Sequence, residues 1–411
     1  MSLTLEQLRF LATDAGRAAI LAAQACDAAS PSAVAALRRE FNAEQATAAL
    51  QVVTARRRAA AKLGPAAADL IADAEAVEQA SSAAVAAHKA RRFADRAPGR
   101  GVWDLCCGLG ADARALANAA PPVTAVDIDP GRAWMARRFA GCAALAADAA
   151  TVELPPGVAW HMDPSRRSER GRAWRLTDYA PPPEAWWRLL RRNPHACLKL
   201  SPGVDLDDLD DHWARAALAP PPQVEFISES GRLVQALAWT GTLADAAPRA
   251  ATVITPEATL TLAGVPAVAD AAFHPADHDH ADDPPARFLY AVDPAVERAG
   301  LLAQLADELG APALHPRLGL LMSDRRLDSP LFTAFDWLAV LPFRPRKLRR
   351  WLAAHDAGPV EIKTRDQAVD PDPLQRQLAG PGHTRLTLFV LRFDRTLRTL
   401  AARRHPRAAA P

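Results

Sequence analysis

The chain has 411 residues, more than one hydrophobic core usually holds. Half of its residues are hydrophobic and 23% are charged, as in soluble globular proteins. The formal net charge of +2 gives no overall argument for nucleic-acid binding, and the five cysteines lack the paired spacing of a disulfide framework or a zinc ribbon. No signal-peptide pattern follows Met1, and no apolar run approaches about 20 residues. We therefore expect a cytoplasmic protein of two or three domains that spans no membrane.

Residues 1–97 are predicted to form a helical domain. They are rich in Ala, Leu, Glu, Gln and Arg, and apolar residues such as Leu37 and Phe41, or Leu50 and Val53, recur at helical spacing. Short apolar runs that alternate with helical stretches begin after this segment, so its end marks the first change in the character of the chain.

Residues 98–262 are predicted to form a Rossmann-like α/β domain with a mostly parallel sheet and one antiparallel strand. The antiparallel strand belongs to a hairpin that turns at Ser230-Gly231-Arg232. The candidate strands are 101–106, 123–128, 142–146, 158–162, 195–200, 223–229 and 233–239.

The segment 263–286 reads as a linker or surface loop, and residues 287–403 as a separate α+β module. His274, Asp277, His278 and His280 are metal-ligand types, but no regular element holds them, so we expect a solvated loop and no metal. In the module, helices are predicted at 294–309 and 344–355, and strands at 336–342, 359–364, 385–393 and 395–402.

A glycine turn, Gly108-x-Gly110, connects the first predicted strand of the α/β domain to a helix. Such a turn brings bare backbone against a nucleotide, and with Ala113 and Asp127 it also satisfies the NAD fingerprint. Asp104, inside the strand before the turn, favours S-adenosylmethionine over NAD. A carboxylate there can pair with the α-amino group of a bound amino acid, which NAD lacks.

Acidic residues also follow the next three strands. Asp127 is placed to accept hydrogen bonds from ribose hydroxyls, Asp148 from an adenine amino group, and Asp163 lies at the edge of the sheet where ligands bind. Any one of these acids can be a helix cap. Their recurrence at consecutive strand ends predicts a methyltransferase rather than a dehydrogenase.

The segment Asp104–Asp112 resembles motif I of class I S-adenosylmethionine-dependent methyltransferases. Val126-Asp127 resembles their second-strand acid, and Asp163-Pro-Ser-Arg-Arg167 lies in the place of their fourth-strand catalytic motif. A wider resemblance covers most of the chain and is to bacterial methyltransferases with a C-terminal THUMP-like domain. The segments that carry it are 37–41, 56–62, 77–82, 85–93, 163–167 and 361–365.

This resemblance implies S-adenosylmethionine as the cofactor and RNA, either tRNA or rRNA, as the partner that is modified. The residues that it assigns to cofactor binding are Asp104, Cys106, Gly108, Gly110, Asp112, Asp127, Ile128 and Asp148. Those that it assigns to catalysis, with Asp163 orienting or deprotonating the acceptor, are Asp163, Pro164, Arg166 and Arg167.

The residues after Asp163-Pro164 depart from the pattern of amino-directed methyltransferases. Ser165-Arg166-Arg167 stands where those enzymes carry an aromatic residue that stacks on a flipped base, which argues against N-methylation of an extruded base. The two arginines can bind phosphates or carboxylates, or form a solvated turn. Lys199 can approach the site or point outward, and Cys197 is either a nucleophile or, as we favour, a buried thiol.

Positive charge is concentrated in the C-terminal module, in the segment 343–350 and at Lys363 and Arg365. Such a patch can hold RNA phosphates, and its alternative is an ordinary basic helix face. Two other functions stay open from the sequence: a small-molecule or protein methyltransferase whose outer domains only build the pocket, and a catalytically silent RNA-binding protein on a methyltransferase scaffold.

Overall fold

The computed structural model describes residues 2–26, 30–120, 122–166, 175–273, 284–365, 367–393 and 395–406. The chain divides into two units, one of residues 1–223 with 235–246 and the other of residues 224–234 with 247–411. Within the described ranges, no helix is long and apolar enough to cross a membrane.

The first unit begins with the helices predicted from the sequence. Side chains that accept hydrogen bonds from the first helical turn, including Thr4, Asn42 and Ser82, start these helices. The buried faces of the first five helices form one core, which also includes Met135 and Phe139 from beyond the helical segment. The helices are α1 Leu5–Leu11, α2 Asp14–Ala25, α3 Pro31–Glu40, α4 Ala43–Leu63, α5 Ala74–Gln79 and α6 Ala83–Arg96.

Alternating strands and helices follow, as the sequence pattern predicted. The strands are β1 Val102–Leu105, β2 Val123–Asp127, β3 Ala143–Ala146, β4 Ala159–Met162, β5 Ser165–Arg166, β6 Tyr179–Ala180, β7 Ala196–Leu200, β8 Gln223–Glu229 and β9 Arg232–Trp239. The helices between them are α7 Ala111–Ala119, α8 Pro130–Ala140, α9 Pro183–Arg192 and α10 Leu206–Arg215.

The sheet of the first unit has the order β9-β7-β4-β1-β2-β3, in which β9 runs antiparallel to β7 and the other pairings are parallel. This arrangement confirms the predicted fold class. In the register, Asp104 of β1 lies between Ala125 of β2 and His161 of β4. The turn before β9 has positive φ at Ser230 (52°) and Gly231 (78°), as a tight hairpin requires.

The second unit contains strands that the sequence pattern did not predict. β10 (Arg249–Ile254) runs parallel to β8, and β11 (Thr259–Gly264) runs antiparallel to β10. Residues 265–273, in the predicted linker, have no regular element, and the histidine cluster at 274–280 lies outside the described residues. The three-domain division stays a prediction.

A seven-stranded sheet forms the rest of this unit, in the order β13-β14-β12-β15-β18-β17-β16. The single helix predicted over 294–309 is wrong, because Gly300 adopts a left-handed φ of 73° and ends the first of two helices. The strands are β12 Phe288–Val292, β13 Ala313–His315, β14 Leu320–Ser323, β15 Phe332–Pro342, β16 Ala357–Thr364, β17 Thr384–Phe393 and β18 Thr396–Arg404. The helices are α11 Pro294–Ala299, α12 Leu302–Leu309, α13 Pro345–Ala354 and α14 Pro371–Leu378.

Candidate functional site

The glycine turn between β1 and α7 has two glycines with different roles. Gly110, at a φ of 85°, caps α7 so close to α8 that an added Cβ would lie 2.7 Å from the Cα of Ala136. Gly108, at a φ of 57°, has open space where its Cβ would be. Gly110 is therefore required by helix packing, whereas Gly108 leaves room for a ligand beside the backbone.

Asp127, at the end of β2, is tied directly to this turn. Its Oδ2 accepts a hydrogen bond from the backbone N–H of Gly108 at 2.9 Å, and its Oδ1 accepts one from Asp129 at 3.0 Å. Burial raises the pKa of the Asp127 carboxyl, and these two hydrogen bonds oppose that effect. The next residue, Ile128, is 69% exposed, so an apolar surface lies next to the acid.

Asp104 of β1 is an almost fully buried carboxylate, 1% exposed. Its Oδ1 lies 2.6 Å from Nδ1 of His161 on the neighbouring strand β4. Its Oδ2 has no hydrogen-bond partner within the part of the chain that the structure describes. Burial raises the pKa of this carboxyl, and the hydrogen bond from His161 opposes the rise. The site therefore holds a buried acceptor that is only half used.

The network continues from His161 into the helical segment. Nε2 of His161 lies 3.3 Å from Nζ of Lys89, which forms a 2.6 Å ion pair with Asp112 and donates to Ser81 at 3.1 Å. Burial alone would raise the pKa of the Asp112 carboxyl, but Lys89, together with His161 and Lys199, holds it well below its usual range. The Asp112 carboxylate thus contacts Lys89 of α6 and accepts a hydrogen bond from Ser81, two residues before that helix, rather than standing open.

Sequence reasoning missed Lys89 and His161 as site residues, although a signal for Lys89 was present. Val85, Lys89 and Phe93 recur every four residues along α6, and all three are buried. A lysine on the apolar stripe of an amphipathic helix needs a buried partner. This pattern therefore pointed to an ion pair, but it did not identify the partner.

The four acids at or near the strand ends all lie near the side chain of Cys106. Burial raises the pKa of the Cys106 thiol far above its usual value, and nearby carboxylates raise it further. Those carboxylates belong to Asp127, Asp163, Asp104 and Asp148. All four therefore lie within electrostatic reach of a single side chain, which itself has a left-handed φ of 56°.

Asp148 is the most open of these acids. It is exposed in the loop after β3, and its Oδ1 accepts a hydrogen bond from the backbone N–H of Ala150 at 2.8 Å. This local bond closes the turn, and its assignment to an adenine amino group stays a prediction.

Asp163 follows β4 and forms an ion pair with Lys199 of β7, with Nζ 2.6 Å from Oδ2. Its backbone N–H donates to the carbonyl of Leu105 at 3.1 Å, which places it beside the end of β1. The side chain of Asp163 is 30% exposed, and Pro164 is buried. Of the two orientations open for Lys199, the structure therefore shows the one directed at the site.

Only one of the two arginines that follow Ser165 lies among the residues that the structure describes. Arg166 lies in β5, which pairs with Tyr179 of β6, and Arg167 lies outside the described residues. Cys197, the alternative nucleophile, is fully buried in β7. Its burial agrees with the structural thiol that the sequence favoured.

Nearby aromatic residues pack against one another instead of lining an open surface. Tyr179, Trp186, Trp187 and Trp213 form a chain of edge-to-face contacts with ring centroids 5.6, 5.9 and 5.1 Å apart. All four are buried, so they belong to the core of this unit.

In the second unit, helix α13 exposes a row of basic side chains. Its buried side is formed by Leu348 and Leu352, and Trp351 stacks on His355 with ring centroids 3.8 Å apart. The exposed residues are Arg346, Lys347, Arg349 and Arg350. Lys363 and Arg365, by contrast, lie 3.3 and 2.7 Å from carboxylates, so α13 carries the less compensated charge.

The structure, over the residues that it covers, has no cluster of three or more His, Cys, Asp or Glu side chains that could hold a metal ion.

Arg92 of α6 makes contacts within the first unit. It donates a hydrogen bond to the carbonyl of Leu243 at 2.7 Å, and its guanidinium lies over the ring of Trp239. It is therefore a packing residue rather than part of an open basic surface.

Comparisons with known proteins find methyltransferases and a THUMP domain-like region. A THUMP domain-like family model matches residues 332–404, and a model for a domain of unknown function matches residues 4–59. S-adenosylmethionine-dependent methyltransferases from two strains of Mycobacterium tuberculosis are 32% identical over 354 residues, covering 82% of this chain and 90% of theirs. The crystal structure of a candidate methyltransferase from Porphyromonas gingivalis W83 matches with a TM-score of 0.70 at 20% identity, over 95% of this chain and 98% of that one. These matches confirm the resemblance to methyltransferases with a C-terminal THUMP-like domain.

Proposed function

The chain belongs to the S-adenosylmethionine-dependent methyltransferases, and we propose that it methylates structured RNA, either tRNA or rRNA. The observation that carries the RNA part is the THUMP domain-like region at residues 332–404, which contains the basic helix α13. A methyltransferase for a small metabolite has little need of such a module, whereas a structured RNA must be held away from the reacting atoms.

The residues at the end of the sheet fit the cofactor. The unpartnered Oδ2 of Asp104 is a buried acceptor for the α-amino group, and the space beside Gly108 accommodates the chain that carries it. Asp127 would accept from the ribose hydroxyls and exposed Ile128 would cover the adenine, with Asp148 at its amino group. When bound, the cofactor supplies a methyl group on a positively charged sulfur, which needs little further activation.

The acceptor side is assigned to Asp163. Lys199 holds one carboxylate oxygen at 2.6 Å, which fixes the side chain and leaves the other oxygen to accept a hydrogen bond or a proton from the substrate. Pro164 stiffens the backbone directly after the acid, and Arg166 and Arg167 would bind a phosphate next to the methylated nucleotide. The task of these residues is to orient the acceptor and to exclude water.

Helix α13 would bind the RNA backbone. Its arginines and lysine can neutralise phosphates without reading sequence, and half-buried Trp351, stacked on His355, offers a surface on which an unpaired base can lie.

Transfer of a labelled methyl group from S-adenosylmethionine separates the substrate classes. The protein is incubated in parallel with bulk tRNA, bulk rRNA, a metabolite extract and total cell protein, and the Asp163→Ala variant serves as the control for chemistry at this site. We expect label in one RNA pool with the wild-type protein and not with the variant.

The other outcomes contradict the proposal in different ways. Label only in metabolites or protein would mean that the outer module builds a pocket for another substrate. Absence of label in every pool, with binding of S-adenosylhomocysteine intact, would indicate a silent RNA-binding protein on a methyltransferase scaffold.

A further inference from the structure

Lys89 is a buried cation that the cofactor site as assigned above does not use. It is 1% exposed on α6, in the helical segment that precedes the sheet. Its Nζ lies 2.6 Å from Asp112, 3.1 Å from Ser81 and 3.3 Å from Nε2 of His161. A lysine is rarely this buried without partners of opposite charge, so the groups around Lys89 determine what it can do.

The donors and acceptors in this cluster determine the state of His161. An ammonium group has three donors and no acceptor, so Nε2 of His161 must accept from Lys89. The imidazole is then neutral with its proton on Nδ1, which donates to Oδ1 of Asp104 at 2.6 Å. Two consecutive hydrogen bonds thus connect α6 to the acid of β1.

The charged side chains of this cluster sum to one net negative charge. Asp104 and Asp112 contribute two negative charges, Lys89 one positive charge and His161 none. Lys199, which also acts on Asp112, is already paired with Asp163. A buried unpaired charge is costly, and a ligand with a single ammonium group would neutralise it.

We propose that Lys89 is a positioning residue for the cofactor: through His161 it holds Asp104 as a carboxylate with Oδ2 directed at the α-amino group of S-adenosylmethionine. This inference rests on the proposed cofactor site. It also gives the N-terminal helical segment an indirect part in cofactor binding, because α6 supplies the cation.

A pH dependence follows from this arrangement. Burial and the nearby carboxylate of Asp112 raise the pKa of Asp104, whereas His161 and Lys89 lower it. An ammonium ligand needs the ionised carboxylate, so its affinity declines as the pH falls through this pKa. Without Lys89 the pKa of Asp104 rises further, so the decline begins at a higher pH.

The test compares two ligands that differ in the amino-acid part. S-adenosylhomocysteine carries the α-amino group, whereas 5′-methylthioadenosine has only the adenosine part and a methyl sulfide. Calorimetric affinities are measured between pH 5 and pH 8 for the wild-type chain, Lys89→Met, Asp112→Asn and the double variant Lys89→Met/Asp112→Asn. The double variant removes both charges of the ion pair, so it leaves the net charge of the cluster unchanged and serves as the test if the single variants fail to fold.

For the double variant we expect an affinity for S-adenosylhomocysteine lower by about tenfold to a hundredfold, as for loss of a charge-assisted hydrogen-bond network. For Lys89→Met the pH profile should shift upward, because the carboxylate of Asp112, which raises the pKa of Asp104, stays in place. In each variant the affinity for methylthioadenosine should stay unchanged. Equal losses for both ligands, or wild-type affinity for S-adenosylhomocysteine in the double variant, would mean that Lys89 is only structural.

Failure of the wild-type chain to bind S-adenosylhomocysteine would overturn this inference together with the cofactor site. Failure to methylate RNA would overturn the proposed substrate alone, because the binding measurements contain no RNA.

Discussion

Asp104 of β1 is 1% exposed and hydrogen-bonded to His161, whereas the side chain of Asp163 after β4 is 30% exposed and paired with Lys199. Both acids lie at the same edge of the sheet, and both act on the thiol of Cys106. The buried acid is surrounded by groups of this chain, and its Oδ2 has no hydrogen-bond partner among the described residues. The open acid has one cationic partner and a surface that a substrate can reach. Under the proposed function, this difference would let one sheet edge hold a small cofactor on one strand and receive a large substrate on another.

The largest expected effect comes from removing the open acid. Asp163→Ala should lower kcat by about 10²–10⁴, because the acceptor loses its hydrogen-bond or proton acceptor. Binding of S-adenosylhomocysteine should hardly change. Single-turnover methyl transfer and calorimetry measure the two quantities, and Lys199→Met should show a smaller loss of rate. A variant that loses cofactor affinity instead would abolish the proposed division between the two acids.

Removing the buried acid should give the opposite pattern. Asp104→Asn should weaken S-adenosylhomocysteine by about a hundredfold while 5′-methylthioadenosine still binds, because only the former has an ammonium group. Calorimetry of the two ligands checks this, and a variant that binds S-adenosylhomocysteine as tightly as the wild type does would exclude Asp104 as the amino-group partner.

The two glycines before α7 should separate stability from binding. In Gly110→Ala the new Cβ meets Ala136 at 2.7 Å and φ is 85°, so the free energy of unfolding should fall by about 2–3 kcal/mol. In Gly108→Ala the Cβ enters open space, so the backbone cost is about 1 kcal/mol and the main effect should be weaker cofactor binding. Chemical unfolding and calorimetry on both variants measure these effects; similar stabilities would contradict the packing role of Gly110.

A substrate that reaches an exposed acid must be held by other surfaces. The double reversal Lys347→Glu/Arg350→Glu should weaken RNA binding at least about tenfold and reduce the salt dependence by about two ions, without changing cofactor affinity. The matched control is Arg317→Glu/Arg326→Glu, which makes the same charge change at exposed positions outside α13. Equal losses in both double variants would indicate a general charge effect.

The smallest effect concerns stability and pH. Because burial raises the pKa of Asp104 above its unfolded value near 4, the folded chain binds this proton more tightly than the unfolded chain. The free energy of unfolding of the wild type, relative to Asp104→Asn, should therefore rise as the pH falls from 7 toward about 4, by at most about 1.4 kcal/mol per pH unit. Urea unfolding of both proteins over this range measures it. A relative stability that falls on acidification would show the carboxylate to be stabilised by its neighbours.

Much of the first unit was predictable because its signals are local. Alternating apolar runs located β1, β2, β3, β4 and β7 to within one or two residues, and the Gly108-x-Gly110 turn followed from two glycines. Strands β10 and β11 were not predicted, although β10 is almost wholly buried and leucines alternate with threonines in β11. The division of residues 294–309 depended on whether Gly300 would interrupt a helix, which helical periodicity alone does not decide.

The sequence by itself determined where most strands of the first unit lie along the chain, the place of the glycine turn and the acids near the strand ends, since each depends on neighbouring residues and their periodicity. Only the tertiary structure decided which cation serves which acid. Lys89 meets His161 across 72 residues of chain, and Lys199 meets Asp163 across 36. These pairs form because helix packing and strand order bring distant segments together, and the strength of each pair depends on burial, which no local pattern contains.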